Sequence, residues 1–232
     1  MRKTLFLALL LLSVFGVTYF ALAEDNEMSE WLKRTDFGLS VETDQKPRVY
    51  LETVQPIYQS EDKVDTFFTH DRITMLDERN TYSTGLGYRK LMNDGELLGG
   101  INTFFDYQAL HKHYRAGVGF EAIAKKWEFR TNSYIGASPK RTVEEKSSYT
   151  TYEKAVDGFD AELGAPVPHL PWLKLFAQYY YYDYKKFKNM AGNKLRAEAK
   201  PFKFLVWNFE TYDDTKGDRE YRMDARFSLA FD

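Results

Sequence analysis

The sequence has no cysteine among its 232 residues, so neither a disulfide framework nor a thiolate metal site is available to it. It also lacks a basic excess: 32 Lys and Arg against 34 Asp and Glu give a net charge of −2, which is not the footprint of a nucleic-acid-binding protein. After the N-terminus it has no long apolar run, and its mean hydropathy is −0.53, which leaves no room for a second membrane-spanning helix. Stability must therefore come from packing and backbone pairing.

The N-terminus is typical of a secretory signal peptide. Two basic residues precede an apolar stretch that ends at the small-residue sequence Ala21-Leu22-Ala23. We expect residues 1–23 to be removed. The alternative is an uncleaved anchor helix, because the apolar run approaches the roughly 20 residues that cross a bilayer. Residues 24–35 are expected to form a short segment in the periplasm or inside the folded domain.

Aromatic residues make up 17% of the chain, and after Asp36 the sequence alternates with a period of two. In the closing segment, apolar residues occupy the odd positions from Tyr221 to Phe231, whereas charged or hydroxyl residues occupy the even positions from Arg222 to Ser228. This alternation places successive side chains on opposite faces of a strand. Each strand is thus predicted to have one apolar and one polar face.

Twelve such segments are predicted as strands, at 36–43, 47–58, 65–76, 79–91, 96–107, 112–123, 125–136, 155–165, 172–183, 192–200, 202–212 and 219–231. The second and third are poorly patterned, so a count of ten stays open. An even count lets the first and last strands pair antiparallel, and open sheet edges cannot face lipid. We therefore predict an all-β fold: an antiparallel transmembrane β-barrel of about 12 strands over residues 36–232.

The connections favour a meander of hairpins. Asn93-Asp94-Gly95 is a tight-turn signal, and the proline-rich stretch 165–173 is expected to be a turn on the periplasmic side rather than strand interior. The charged, hydroxyl-rich stretch 138–158 is predicted to be a solvated extracellular loop. His111-Lys112-His113 is predicted to be a hydrated surface connection.

The two faces of the predicted strands assign candidate roles. The polar phase, predicted to line the lumen, comprises Arg89, Asn102, Asp106, Arg115, Glu121, Arg130, Glu162, Arg196, Glu198, Arg222, Asp224 and Arg226. The apolar phase, predicted to face lipid, includes Tyr114, Val118, Phe120, Leu175, Tyr179, Phe227, Leu229 and Phe231. Aromatic girdles at the membrane interfaces are expected from Trp127, Phe129, Trp172, Tyr179, Tyr181, Trp207 and Tyr221.

Catalytic and cofactor motifs are weak. Two histidines around Lys112 fall short of the three or four ligands that a metal site needs, and no G-x-S-x-G nucleophile motif is present. The Gly-x-Gly pairs at Gly85/Gly87 and Gly117/Gly119 lack the helix that a phosphate loop requires, so they are interpreted as glycines that relieve crowding in a barrel. We predict no enzyme activity and no cofactor.

Several stretches carry a family resemblance: DERNTYSTGLGYRKL, GGINTFFDYQ, HYRAGVGFEAIAKKWEFRTNSYIG, GFDAELGAPVPHLPWLKLFAQYYYYD and the closing strand. From about Thr66 to the C-terminus the sequence resembles the β-domain of the inverse autotransporters, the intimin and invasin translocators. The resemblance implies a twelve-stranded barrel in the outer membrane of a Gram-negative-type bacterium, whose polar lumen threads a C-terminal passenger to the cell surface. It also implies insertion by the barrel-assembly machinery.

The sequence departs from the family at its C-terminus. Intimin-like proteins continue after the last strand into a linker and adhesion domains, whereas this sequence is expected to lack its own passenger. We therefore expect a monomer that contacts outer-membrane lipid and serves surface adhesion or export through a separate partner chain or through its extracellular loops. Two alternatives stay open: an outer-membrane solute channel, and an exported soluble barrel that binds a ligand in an apolar interior.

Overall fold

The computed structural model describes residues 32–77, 79–185 and 187–228. Across these ranges the chain forms a closed antiparallel barrel of twelve strands, with a two-stranded hairpin inserted in one connection. The first strand pairs with the last, beginning with Asp36 opposite Ser228. Closure gives every barrel strand two neighbours, so no strand edge is left open. The predicted twelve-stranded antiparallel barrel is confirmed.

In chain order the strands are β1 (Thr35–Glu42), β2 (Arg48–Gln59), β3 (Asp65–Met75), β4 (Thr81–Met92), β5 (Leu97–Gln108), β6 (His113–Ala124), β7 (Glu128–Gly136), β8 (Arg141–Lys146), β9 (Tyr149–Glu153), β10 (Asp157–Val167), β11 (Leu170–Asp183), β12 (Met190–Phe202), β13 (Leu205–Asp214) and β14 (Glu220–Ser228). β8 and β9 form the hairpin, and the others form the barrel. No helix among the described residues is long and apolar enough to cross a membrane. The predicted signal peptide and most of the predicted segment 24–35 lie outside the described residues.

The two ends of the barrel differ in their connections. One end, here called the turn end, carries the strand connections 60–64, 93–96, 125–127, 168–169 and 203–204. The opposite end, here called the loop end, carries 43–47, 76–80, 109–112, 137–156, 184–189 and 215–219. Because outer-membrane barrels have short periplasmic turns and longer extracellular loops, the turn end corresponds to the periplasmic side.

The predicted turn at Asn93-Asp94-Gly95 joins β4 to β5. All three residues have positive φ, at 52°, 52° and 90°. Such backbone angles are what Asn, Asp and Gly tolerate best. The tight-turn prediction is confirmed here.

Two predicted connections differ from the structure. The stretch 138–158 is not a plain loop, because it contains the β8–β9 hairpin, which stands at the loop end with most of its residues exposed. In the proline-rich stretch the turn is only Pro168-His169; Pro166 and Pro171 lie in β10 and β11. Pro166 is accommodated because the pairing register shifts directly after it, where its missing N–H removes little from the ladder.

Glycines inside the barrel make room for aromatic rings on the next strand. A Cβ on Gly87 would lie 2.2 Å from Cζ of Phe68, and one on Gly117 would lie 2.2 Å from Cζ of Phe104. The rings therefore lie directly over the glycine backbone, a packing that rigidifies sheets at glycine positions. This geometry agrees with glycines that relieve crowding rather than bind phosphate.

Candidate functional site: the charged interior of the barrel

Strand register shows which side chains share the interior. Glu121 lies opposite Arg130, and Arg130 lies opposite Glu162 on the next strand. The same face carries the buried rings of Phe68 and Phe176. Pairing places on this one face all twelve residues of the predicted lumen set: Arg89, Asn102, Asp106, Arg115, Glu121, Arg130, Glu162, Arg196, Glu198, Arg222, Asp224 and Arg226.

Ion pairs link these side chains from strand to strand. The Arg89 Nε donates to Glu121 Oε1 at 2.5 Å. Arg130 lies 3.9 Å from Glu121 and 3.8 Å from Glu162. Glu162 in turn accepts from Arg196 at 2.7 Å. Opposite charges thus stabilise one another between adjacent strands at Arg130 and across one intervening strand at Arg89 and Arg196, over β4, β6, β7, β10 and β12.

Hydrogen bonds continue this series to the far side of the barrel. Arg196 Nη1 donates to Asn208 Oδ1 at 3.1 Å, and Asn208 Nδ2 donates to Asp224 Oδ1 at 3.3 Å. The Tyr50 hydroxyl donates to the same Asp224 oxygen at 3.1 Å. The Arg72 guanidinium lies 3.8 Å above the Tyr50 ring.

Both ends of the series lie on or against β3. Arg72 is on β3, and Phe68 of the same strand lies beneath the Arg89 guanidinium at 4.6 Å. We call this set of residues the interior belt; its members are Tyr50, Phe68, Arg72, Arg89, Glu121, Arg130, Glu162, Arg196, Asn208 and Asp224. Because charges of both signs alternate and are paired, the belt gives the barrel a rigid, polar inner surface.

A second layer, richer in tyrosine, lies nearer the loop end. The Tyr134 hydroxyl donates to Asp160, and the Arg115 guanidinium lies 4.5 Å above the Tyr134 ring. On the other side of the barrel, the Tyr212 hydroxyl donates to Glu42, and its oxygen lies 3.0 Å from Glu220 Oε2. These phenols add hydrogen bonds to carboxylates that have other partners as well, Asn132 for Asp160 and Arg48 and Arg222 for Glu42.

Sequence reasoning missed most of the interior aromatics. Tyr50, Phe68, Phe104, Phe176, Tyr180 and Tyr182 all point inward, each over a glycine of the adjacent strand. The sequence does contain a signal for them, because each alternates on the same strand face as charged or polar residues. An aromatic residue on the polar phase is easily misassigned, because aromatics dominate the apolar face as well.

A cavity of about 560 Å³ lies inside the barrel toward the turn end. Its lining carries both signs of charge, with Glu128, Glu162 and Glu198 facing Lys174 and Arg196. Lys174 contacts Glu128, and Arg196 lies 2.9 Å from Glu198. The cavity is thus lined mainly by charged side chains, with Val54, Phe68 and Ile123 as its apolar residues. A soluble barrel with an apolar interior, one of the two alternatives, is wrong for this chain.

The outer wall is apolar. Val118 is 57% exposed and Leu175 is 54% exposed, which is unusual for aliphatic side chains unless another apolar phase covers them. The other described members of the predicted lipid-facing set, Tyr114, Phe120, Tyr179 and Phe227, lie in the same strand phase. Leu229 and Phe231 lie outside the described residues.

Aromatic residues on this wall divide between the two ends. Trp127, Trp172 and Trp207 lie at or near the turn end, whereas Tyr181 and Tyr221 lie near the loop end. Trp and Tyr near the two ends of the strands are typical of the interfacial aromatic girdles of an outer-membrane barrel.

The two histidines of the loop 109–112 region do not form a simple hydrated connection. His111 Nδ1 lies 2.7 Å from Glu153 Oε2 at the base of the hairpin, and His113 Nδ1 lies 2.9 Å from Ser138 Oγ. His113 is the first residue of β6 and is only 7% exposed. The predicted surface connection is present at 109–112, where Lys112 is exposed, but it is not fully hydrated, because the base of the hairpin packs against His111 and buries His113. Within the described residues no cluster of His, Cys, Asp or Glu could hold a metal ion.

A third contact ties this region to the neighbouring loop. Lys185, in the loop 184–189, lies 3.0 Å from Asp157 Oδ2 at the start of β10. This hydrogen-bonded ion pair raises the pKa of Lys185 above its usual value.

Solved structures share this fold. A membrane protein crystallised in meso superimposes with a TM-score of 0.71 at 19% identity, covering 85% of each chain. KdgM porin gives 0.57 at 10% identity, covering 84% of this chain and 98% of that one. Outer membrane phospholipase A from Escherichia coli gives 0.53 at 10% identity, covering 91% and 96%. At these identities the likeness shows the fold alone.

Sequence relatives point to one family. An attaching and effacing protein homolog of Escherichia coli K12 is 29% identical over 71% of this chain and 57% of its own length. The inverse autotransporter adhesin YeeJ of the same strain is 27% identical over 95% of this chain and 9% of its own length, and invasin of Yersinia enterocolitica is 29% identical over 65% and 18%. The chain thus spans between about a tenth and somewhat over half of the curated relatives it matches.

The family model described as "Inverse autotransporter, beta-domain" matches residues 20–231, which is nearly the whole chain. This match, the closed twelve-stranded barrel and its apolar outer wall together identify an outer-membrane barrel that resembles the intimin and invasin translocator domain. The chain belongs to the inverse autotransporter β-domain family.

Proposed function

We propose that this barrel anchors an adhesive system in the outer membrane and that its polar interior guides an extended polypeptide to the cell surface. The observation that carries the proposal is the interior belt within a chain whose relatives are named an adhesin and an invasin. An extended polypeptide carries unpaired N–H and C=O groups along its whole length. Paired side chains of both signs offer donors and acceptors to such a chain without selecting for one charge.

The remaining parts of the proposal are supported by the N-terminal sequence and by the family. Residues 1–23 act as a signal peptide for export, the segment 24–35 lies on the periplasmic side, and the barrel-assembly machinery inserts the domain. The passenger is supplied by a separate chain or by a segment joined to this one. No catalytic role is included, because the likeness to a phospholipase is one of fold.

Surface display tests the proposal directly. A flexible, epitope-tagged segment appended after Asp232 should become accessible to antibody on intact cells. Changing Asn208, on the inner face, to Trp should reduce that display by filling the interior. Ala197→Trp, at an outward position of the neighbouring strand, is the matched control and should leave display unchanged. A tag that stays in the periplasm in every variant would refute guidance through this barrel.

The hairpin offers a second route to attachment. Tyr149 and Tyr152 are 48% and 51% exposed on it, and Lys140 Nζ lies 3.5 Å above the Tyr152 ring. Exposed tyrosines beside a cation are typical of contact surfaces for other proteins. Deletion of residues 139–154 that left cell adhesion unchanged would remove this route.

A solute channel is the remaining alternative. Planar-bilayer recordings of the purified barrel separate it from a translocator. Stepwise conductance without any polypeptide present would favour the channel, and a silent bilayer would argue against it.

A further inference from the structure

Basic residues at the loop end are concentrated in one sector of the rim. The connections 184–189 and 215–219 together carry five Lys or Arg against a single Asp. The connections 43–47 and 76–80 carry two basic and three acidic residues instead. Because β11, β12, β13 and β14 are consecutive neighbours in the barrel, the first two connections lie side by side. We call these two connections the basic rim.

The two connections of the basic rim are joined through their lysines. Lys188 Nζ donates to the carbonyl oxygen of Thr215 at 3.1 Å, and Thr215 Oγ1 donates to the carbonyl oxygen of Asn189 at 2.9 Å. Lys216 Nζ lies 3.1 Å from the centre of the Tyr184 ring, which belongs to the other connection. Each lysine therefore reaches across to the neighbouring connection, and the two ammonium groups are held in one small region of the rim.

The described cations of the basic rim differ in their partners. Lys185 and Arg219 pair with carboxylates at the strand ends, at 3.0 and 3.3 Å. Over the described residues, Lys188 contacts a carbonyl and Lys216 an aromatic ring, and neither forms an ion pair. Asp214 is close to Lys216, but its Oδ1 accepts from the backbone N–H of that residue at 2.7 Å. An ammonium has three N–H donors, so both lysines keep donors for an anion, which would also offset the repulsion between the two charges.

The basic rim is attached to the outer side of the barrel wall, directly above aromatic residues. Asn189 Nδ2 donates to the Tyr181 hydroxyl at 2.5 Å. Tyr181 shares the outward phase with Tyr179, and the centroids of the two rings lie 5.8 and 6.0 Å from that of Phe159. Aromatic residues near the strand ends of an outer-membrane barrel mark the level at which the apolar part of the membrane meets the headgroups. The basic rim therefore lies at the height of the lipid headgroups of the outer leaflet.

Phe187 adds an apolar group to the basic rim. It precedes Lys188 in the connection 184–189 and is 76% exposed, more than Ile135 on the outer wall at 63%. Transfer of such a ring from water into the boundary between headgroups and acyl chains is favourable. A soluble phosphate ion would leave the ring in water. An exposed ring beside lysines is therefore typical of contact with an anionic lipid.

We propose that the basic rim binds the anionic, phosphate-bearing headgroup of a lipid in the outer leaflet. Lys188 and Lys216 contact the phosphate oxygens as point charges, and Phe187 enters the adjoining acyl region. Each lysine near an anionic lipid contributes an electrostatic attraction in addition to the burial of the ring. The connections 43–47 and 76–80 have neither an excess of positive charge nor an aromatic residue, so the lipid occupies one side of the barrel. The site does not depend on what the interior transports.

Native mass spectrometry, which counts the lipids that stay bound to a barrel, tests the proposal. The full chain is placed in nanodiscs of zwitterionic phosphatidylcholine with increasing amounts of lipid A, a phosphorylated glycolipid of outer leaflets. Lys188→Gln together with Lys216→Gln should lower the affinity for lipid A roughly tenfold. Lys46→Gln together with Arg79→Gln, in the connections 43–47 and 76–80, removes the same charge and should leave the affinity unchanged. Phe187→Ser should also lower the affinity, because the ring no longer enters the acyl region.

Dephosphorylated lipid A gives a test that needs no variant: it should bind the unaltered chain as weakly as lipid A binds the chain with both lysines changed. Equal binding of the two lipids by the unaltered chain would overturn the proposal. Equal losses in the two double variants, no loss in the lysine variant, or unchanged affinity after Phe187→Ser would overturn it as well. Displacement of lipid A by inorganic phosphate at constant ionic strength would assign the lysines to a free anion and exclude the lipid site. Heat-modifiable migration confirms that each variant is a folded barrel before its lipids are counted.

Discussion

At the scale of single residues, the barrel interior depends on packing large aromatic rings over glycines, which have no side chain. Gly117 lies under Phe104, and Phe104 is held from its other side by Tyr134, whose ring centroid is 5.5 Å away at a steep angle. The ring has little freedom to move away from an added Cβ. Packed interiors of this kind resist added volume.

Gly117→Val should therefore destabilise the barrel by about 1 to 3 kcal/mol, even though valine favours strands more than glycine does. Thermal unfolding in detergent measures the change. Gly217→Val, in the loop 215–219 with no atom within 4 Å of an added Cβ, should stay within about 0.5 kcal/mol. Adding Phe104→Ala to Gly117→Val should relieve the clash; equal loss with and without it would disprove the packing argument.

Arg196 is the most connected member of the interior belt. It contacts Glu162 and Glu198 and stacks 3.7 Å over the Phe176 ring. Arg196→Met should cost about 3 kcal/mol, because two largely buried carboxylates lose their shared cation. Lys46→Met, which removes the exposed Lys46–Asp77 pair, should cost less than about 1 kcal/mol. Similar unfolding temperatures for the two variants would contradict a structural role for the belt.

At the scale of elements, the β8–β9 hairpin is held down by few contacts. Its base is fixed by His111 against Glu153 and by His113 against Ser138. His111→Ala should loosen the hairpin without unfolding the barrel, since regions with few packed contacts open locally. Trypsin should then cleave at Arg141 or Lys146 several-fold faster on intact cells. His169→Ala, in the opposite turn, should leave the cleavage rate as it was, and a rate raised equally by both changes would argue against the clamp.

The sequence predicted elements well where one face of a strand was uniform. β14 alternates cleanly, because lipid on one side and paired charges on the other demand it. β11 has a uniform apolar outer face, although Phe176, Tyr180 and Tyr182 lie on its inner face. β2 and β3 were poorly patterned for physical reasons that the structure supplies: the register of β2 shifts between Pro56 and Tyr58, and β3 carries Asp71 on the outer wall. The hairpin was missed because both of its faces are exposed to water, so no hydrophobic alternation marks it.

The candidate site was less predictable than the fold. The alternation of polar and apolar residues placed Arg89, Glu162 and Arg196 on the same face of their strands. It could not show which oppositely charged side chains form ion pairs between strands, because that depends on strand register. Register is set by turn geometry and by packing such as Phe68 over Gly87. The same limit hid the outward hydrogen bond from Thr84 to Asp71, since these residues meet only when β3 and β4 align.

At the scale of the whole molecule, the two faces of the barrel require two different surroundings. Exposed side chains such as Leu86 and Ile101 cover the outside, while the inside is lined by paired charges. In water such an outer wall would aggregate, whereas in a bilayer it is satisfied and closure leaves no backbone group facing lipid. This distribution of side chains requires a closed barrel inserted in the outer membrane.

Heat-modifiable migration of the chain from the outer-membrane fraction tests that claim most directly. Closed barrels retain their structure in detergent until boiled, so the account predicts a fast-migrating band without boiling and a slower band after boiling. A single band in both conditions, recovered from the soluble periplasmic fraction, would contradict it.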